Sequence, residues 1–158
     1  MLLIKNGYIK TMAGEDIENG SVLIGDNGKI ISVGKNIEAD EAEIIDAEGR
    51  LVTPGLIDAH CHIGLKTSSM RWEGSDINEN SDPVTPHMRA IDGINPMEET
   101  LYDAIKAGVT TACTGPGSAN VVGGSFVAIK LYGNRVDNMI VKNPLAMKCA
   151  FGDRKSVV

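Results

Sequence analysis

As far as Pro54, apolar and β-branched residues fall in short runs bounded by Asn, Asp or Gly. The runs at 2–5 and 8–11 flank Asn6-Gly7, a pair that favours a two-residue hairpin turn. The runs at 21–24 and 29–33 flank Gly25-Asp26-Asn27-Gly28, and those at 43–46 and 50–53 bracket a turn at Glu48-Gly49. No 3.6-residue periodicity occurs in this region, so the pattern predicts a small β module of about five or six strands. Beyond Pro54 the pattern changes. Residues 56–63 read as a short buried strand, and 65–93 as a long polar loop, which inside a compact domain is functional or disordered. A helix is predicted over 96–107. Asn95 is its cap, Pro96 takes the first helical position, and Glu98 stands three after the cap as in a capping box. Met97, Leu101 and Ile105 form its stripe, and Gly108 its stop. A strand at 109–113 completes a β-α-β unit. Residues 126–131 read as a strand or a helix start, and 146–151 as another short strand.

The chemistry concentrates where the 56–63 strand ends. Side chains two apart in a strand share a face, so His60 and His62 point the same way with Asp58 behind them. Ile57, Ala59, Cys61 and Ile63 form the opposite, apolar face. Two imidazoles on one face can deliver two nitrogen ligands to one metal ion, at about 2.0–2.1 Å for zinc. Asp58 sits one pleat deeper and suits orienting a neighbour better than coordination.

The motif is longer than the histidine pair. Val52-Thr53-Pro54-Gly55-Leu56-Ile57-Asp58-Ala59-His60-Cys61-His62, preceded by Ile45-Asp46-Ala47-Glu48-Gly49, resembles the first barrel strand of the amidohydrolase superfamily. Ala107-Gly108-Val109-Thr110-Thr111 and the glycine-rich stretch after it look most like the imidazolonepropionase-related group. The resemblance runs from Met1 to about Gly124. It implies an α/β fold, with half of a β-sandwich-type module over 1–53 and the first β/α units of a (β/α)8 TIM-type barrel over 54–158. A barrel of this kind needs roughly 250 residues; about a hundred follow Pro54, so the barrel is expected to be incomplete as given. The implied activity is hydrolysis of carbon–nitrogen bonds other than peptide bonds, in cyclic or linear amides, with a metal-bound hydroxide as nucleophile. The implied cofactor is a divalent metal, zinc by default with iron or manganese as alternatives, held in part by His60 and His62. Family members draw their remaining ligands from later strands: usually two further histidines and an aspartate, sometimes a carboxylated lysine or a glutamate. The catalytic acid/base Asp is expected beyond Val158.

Other residues invite weaker readings. His87 and Arg89 lie in the polar loop, where they could meet substrate, as could Arg71. Trp72 lines a pocket or simply anchors the loop. Ser118 and Asn120, in the glycine-rich segment 114–124, are substrate-contact candidates, although a purely conformational role suits that segment as well. It is no nucleotide fingerprint, since the Lys-Ser/Thr ending is missing. Lys148 on the last apolar segment is a candidate metal-bridging carbamylated lysine or an ordinary surface lysine. The tail at 151–158 departs from the Gly-Glu-Asn-Pro turn expected of the group and carries no functional assignment. Two further readings stay open. One is a truncated, catalytically incomplete chain that folds or functions only by self-association or with a partner. The other is a metal-binding module built on His60, His62 and His87.

Charge narrows the partners. With 15 Lys and Arg against 21 Asp and Glu, the 158-residue chain carries a net charge of −6, and its basic residues are scattered. That argues against nucleic acid or an anionic membrane and leaves a small-molecule substrate, with a homo-oligomer possible. No apolar run reaches the roughly 18–20 residues of a membrane span. The three cysteines, odd in number and set in apolar segments, read as free thiols in a reducing cytoplasm.

Overall fold

The computed structural model describes residues 1–151; the tail at 152–158 lies outside them. The chain is a mixed α/β protein with two sheets, divided into two compact units, Met1–Pro54 and Gly55–Val158.

In the first unit β1 (Leu2–Ile9) is central. It runs antiparallel to β2 (Ile17–Ile24), and β2 antiparallel to β3 (Ile30–Gly34). The turn between β2 and β3 forms where the sequence places it, with Gly28 N–H donating to Gly25 O at 2.9 Å. The expected hairpin about Asn6-Gly7 does not form. β1 runs straight through these residues with a register shift between Ile4 and Gly7, and Asn6 takes a positive φ of 57°. The reason is tertiary. β4 (Glu43–Asp46) and β5 (Leu51–Val52) both pair parallel to β1, at its two ends. The turn between them, Glu48-Gly49, then supplies donors to the carbonyls beside the bulge: Ala47 N–H to Lys5 O at 2.8 Å and Gly49 N–H to Asn6 O at 2.7 Å. A bulge with its groups paired replaces a turn that would have pulled β1 away from both neighbours.

The second unit carries the order β6-β7-β8-β9. β6 (Leu56–Cys61) and β7 (Val109–Thr114) are parallel and joined through α2 (Glu99–Lys106), so the predicted β-α-β unit is present. β8 (Val122–Lys130) and β9 (Ile140–Cys149) then run antiparallel, so that among the described residues only β6 and β7 form a parallel pair in this sheet. β8 resolves the ambiguity at 126–131 in favour of a strand. Its residues Val127 and Ile129, with Leu131 just beyond, alternate into a core completed by Leu65, Leu101 and Met139.

The helix start differs from expectation. Asn95 Oδ1 accepts from Met97 N–H at 3.0 Å and Asn95 O from Glu98 N–H at 3.2 Å, which makes 95–98 a separate turn ahead of α2. Glu98, only 5% exposed, does not reach back to the cap. Its Oε1 accepts from the Ser68 amide at 3.1 Å and the Ser68 hydroxyl at 2.7 Å. A buried carboxyl needs donors, and the polar loop supplies them. Gly108 ends the helix as predicted, at φ 90° with its N–H on Ile105 O at 2.8 Å.

The 65–93 loop is more ordered than its composition suggests. It holds a 3-10 turn (Ser68–Met70) and the short helix α1 (Ala90–Gly93). It pairs with β8 through Val84↔Val122 and Arg89↔Ser125. No helix is long and apolar enough to cross a membrane among the described residues.

Candidate metal-binding site

The site grows from the end of β6. This strand bonds only to β7 among the described residues, and Leu56 and Ile57 are exposed at 56% and 71%. The expected buried strand is therefore an exposed edge strand: Cys61 and Ile63 pack on the core, but nothing among the described residues covers the first half. Its pairing with β7 shifts register between Asp58 and Cys61, an irregularity of the kind that re-aims side chains beside functional sites.

His60 and His62 come together as the strand periodicity predicts, their ring centroids 5.7 Å apart and nearly perpendicular at 83°. His62 Nδ1 lies 2.6 Å from the carbonyl oxygen of Gly115. A carbonyl only accepts, so this contact calls for a proton on Nδ1, and in the neutral ring that tautomer leaves the Nε2 lone pair free. This is the arrangement that readies an imidazole for a metal. His60 packs against Phe126, ring centroids 5.1 Å apart and tilted by 58°. Asp58 Oδ1 accepts from the His60 backbone N–H at 3.1 Å, so it braces the main chain of the histidine rather than its ring. The donor chemistry of the pair thus fits a divalent metal. Among the described residues, no group of three or more His, Cys, Asp or Glu stands close enough to hold one.

The remaining candidates are dispersed. Lys148 is half-buried and shares with His60, Cys113, Phe126 and Met147 the lining of a cavity of about 240 Å3. Next to it, about 580 Å3 of space is bounded by His87, Arg89, Ser125, Leu145 and the same Met147. His87 and Arg89 are therefore neighbours of the histidine pocket without joining it. The Arg89 guanidinium is occupied by Asp92, at 2.8 Å through Nε and 2.7 Å through Nη2. Asn120, 3% exposed, donates its amide to Asp82 O at 2.7 Å and Thr85 Oγ1 at 3.3 Å. Ser118 is half-buried; Arg71 is exposed, and Trp72 is 79% exposed. In the glycine-rich stretch, Gly115 N–H is bonded to Cys61 O and Gly117 N–H to Ile77 O, so these amides tie the loop down instead of pointing at a ligand. All three cysteines are free. Burial pushes the Cys61 thiol above its usual range, with the Asp58 charge adding a smaller push.

Sequence reasoning missed Gly115 and Phe126. Neither carries a chemical signal, and both meet the histidines across more than fifty residues of chain.

Comparison with known proteins places the chain. A model described as the amidohydrolase family matches residues 43–132. Amidohydrolase tasK of Hapsidospora irregularis is 39% identical over 115 residues, covering 70% of this chain and 12% of that protein. A dihydroorotase of Aquifex aeolicus is 45% identical over 62 residues, covering 39% and 14%. The crystal structure of an amidohydrolase from Thermotoga maritima MSB8 superposes with a TM-score of 0.90 at 42% identity, covering 97% of this chain and 39% of that one. The chain thus spans a minor part of each relative.

Proposed function

The chain belongs to the amidohydrolase family, and from that premise we propose that it supplies the first metal-holding strand of a hydrolase acting on carbon–nitrogen bonds other than peptide bonds, in small cyclic or linear amides. The observation that carries this reading is the His60–His62 pair, with the His62 Nδ1 proton committed to Gly115 O. His60 and His62 hold the metal, with zinc the first choice for two imidazoles. When bound, such a metal acidifies water to a pKa of about 7 and polarises a carbonyl. Asp58 holds the main chain of His60 in place, and Lys148, lining the same cavity as His60, is in its carbamylated form a candidate for a further ligand. β6, α2 and β7 are the first unit of a (β/α)8 barrel, and the metal needs further ligands besides the two histidines. Three free thiols suit a reducing, cytoplasmic setting.

The test is elemental analysis of metal per folded chain after desalting at neutral pH, for the protein and for His60→Ala and His62→Ala. Metal held by the protein and lost from both variants supports the reading. Equal metal in all three overturns it.

A second reading is favoured by the bare edge of β6 and its exposed Leu56 and Ile57. An unpaired strand edge invites pairing with another chain, so this chain is a catalytically incomplete piece that associates with itself or a partner. Size-exclusion chromatography with circular dichroism decides it: a monomer with a cooperative melt refutes that reading.

A further inference from the structure

One buried aromatic ring packs against the His60 imidazole. Phe126 projects from β8 and is 4% exposed. On one side it meets the His60 ring, centroid to centroid at 5.1 Å. On another it meets the main chain of Gly115, just after β7. A Cβ built on Gly115 would fall inside van der Waals contact of the Phe126 ring, at its Cγ and both Cδ atoms. Only a residue without a side chain lets this backbone settle onto the ring. Once there, Gly115 is tied to the end of β6 at both of its polar groups. Its N–H donates to Cys61 O at 3.3 Å, and its carbonyl takes the His62 Nδ1 proton at 2.6 Å.

We infer that Phe126 and Gly115 form a positioning pair for both histidines, acting on His60 by ring packing and on His62 by fixing its tautomer. The inference rests on the reading that His60 and His62 hold a metal, but its geometry does not depend on that reading. His60 is exposed, and the Phe126 and His62 rings beside it restrain its ring. His62 has two tautomers in the neutral state, and only the one protonated at Nδ1 offers Nε2. A buried aromatic ring that packs on His60 and seats the Gly115 backbone paired with His62 gives one residue leverage over two ligands. Neither Phe126 nor Gly115 touches a reacting atom; they act through the histidines, as supporting residues around metal ligands do.

The experiment uses the chain labelled with 15N-histidine, free of metal and at alkaline pH, read by long-range proton–nitrogen NMR. His62 is expected as the Nδ1–H tautomer. In Gly115→Ala the methyl collides with Phe126, the carbonyl is displaced, and signal from the Nε2–H form appears. In the double variant Gly115→Ala with Phe126→Ala the collision is relieved and the Nδ1–H form returns, which keeps the test decisive if the single variant fails to fold. Cobalt(II) alone is then titrated and followed by visible absorption. Phe126→Leu, which keeps apolar bulk, is expected to weaken cobalt binding by about 10–100-fold, as loss of a supporting residue does. An Nε2–H tautomer in the unmodified chain, or no change of tautomer in folded Gly115→Ala, overturns the inference. Where the unmodified chain binds cobalt, binding left unchanged by Phe126→Leu also overturns it. If the unmodified chain shows the expected tautomers and takes up no cobalt, the positioning pair stands and the metal reading falls.

Discussion

Asn120 separates two roles that its sequence context leaves open, and its surroundings give the cost of each. Its side chain is 3% exposed and its partner Thr85 is 2% exposed. The amide donates to Asp82 O at 2.7 Å and Thr85 Oγ1 at 3.3 Å, which pins the polar loop to the segment leading into β8. Asn120→Ala removes both bonds and leaves Asp82 O short of a donor; Thr85 keeps its own bond to Val122 O at 3.2 Å. Losing a buried donor in this way costs about 1–3 kcal/mol. At about 2–4 °C per kcal/mol for a chain of this size, a loss of about 2 kcal/mol lowers the melting midpoint by about 4–8 °C. Asn120→Asp is the sharper probe. It keeps the shape but has no N–H, so it sets a carboxyl oxygen against the Asp82 carbonyl, and the cost rises to about 3 kcal/mol or more. Both values are read from urea unfolding followed by circular dichroism, comparing midpoints at constant slope. If both variants unfold within about 0.5 kcal/mol of the unmodified chain, the range of neutral surface changes, the clamp is refuted and Asn120 returns to the list of substrate contacts.

Two further outcomes follow from buried groups. Glu98→Ala removes the acceptor for the Ser68 amide and hydroxyl, at a cost of about 1–3 kcal/mol; limited trypsin digestion should cut after Arg71, in the loop this frees, faster than in the unmodified chain. Alkylation at mildly alkaline pH, mapped by mass spectrometry, should modify exposed Cys149 first and Cys61 last, because burial raises the Cys61 thiol. The folded chain then binds the Cys61 proton more tightly than the unfolded chain does. This thiol therefore favours folding below the ordinary thiol range, and that contribution is lost as pH rises through its raised folded value. A stability profile that instead rises over that interval would contradict the assignment.

Much of the second unit was legible because its signals are local. Apolar alternation located β6 and β7, the Leu101 and Ile105 stripe located α2, and Gly108 marked its end. The turn at 25–28 formed for the same reason, a short-range preference that no partner opposed. Where a distant partner competed, the local signal lost. Asn6-Gly7 became a bulge once β4 and β5 claimed both ends of β1. Glu98 turned away from its cap because Ser68 offered two donors.

The candidate site divides along the same line. That His60 and His62 stand close follows from a two-residue spacing at the end of a strand, which the sequence by itself shows, although His62 lies just past Cys61, the last residue of β6. Which nitrogen of His62 is free depends on a carbonyl 53 residues away, and the restraint on His60 comes from a ring on a strand two places across the sheet. Those contacts, the pairing of Asn120 with the loop, and the antiparallel run of β8 and β9 were decided only by the tertiary structure. Periodicity is set by backbone geometry within a few residues, whereas hydrogen-bond partners and strand direction are set by whichever groups folding brings within reach.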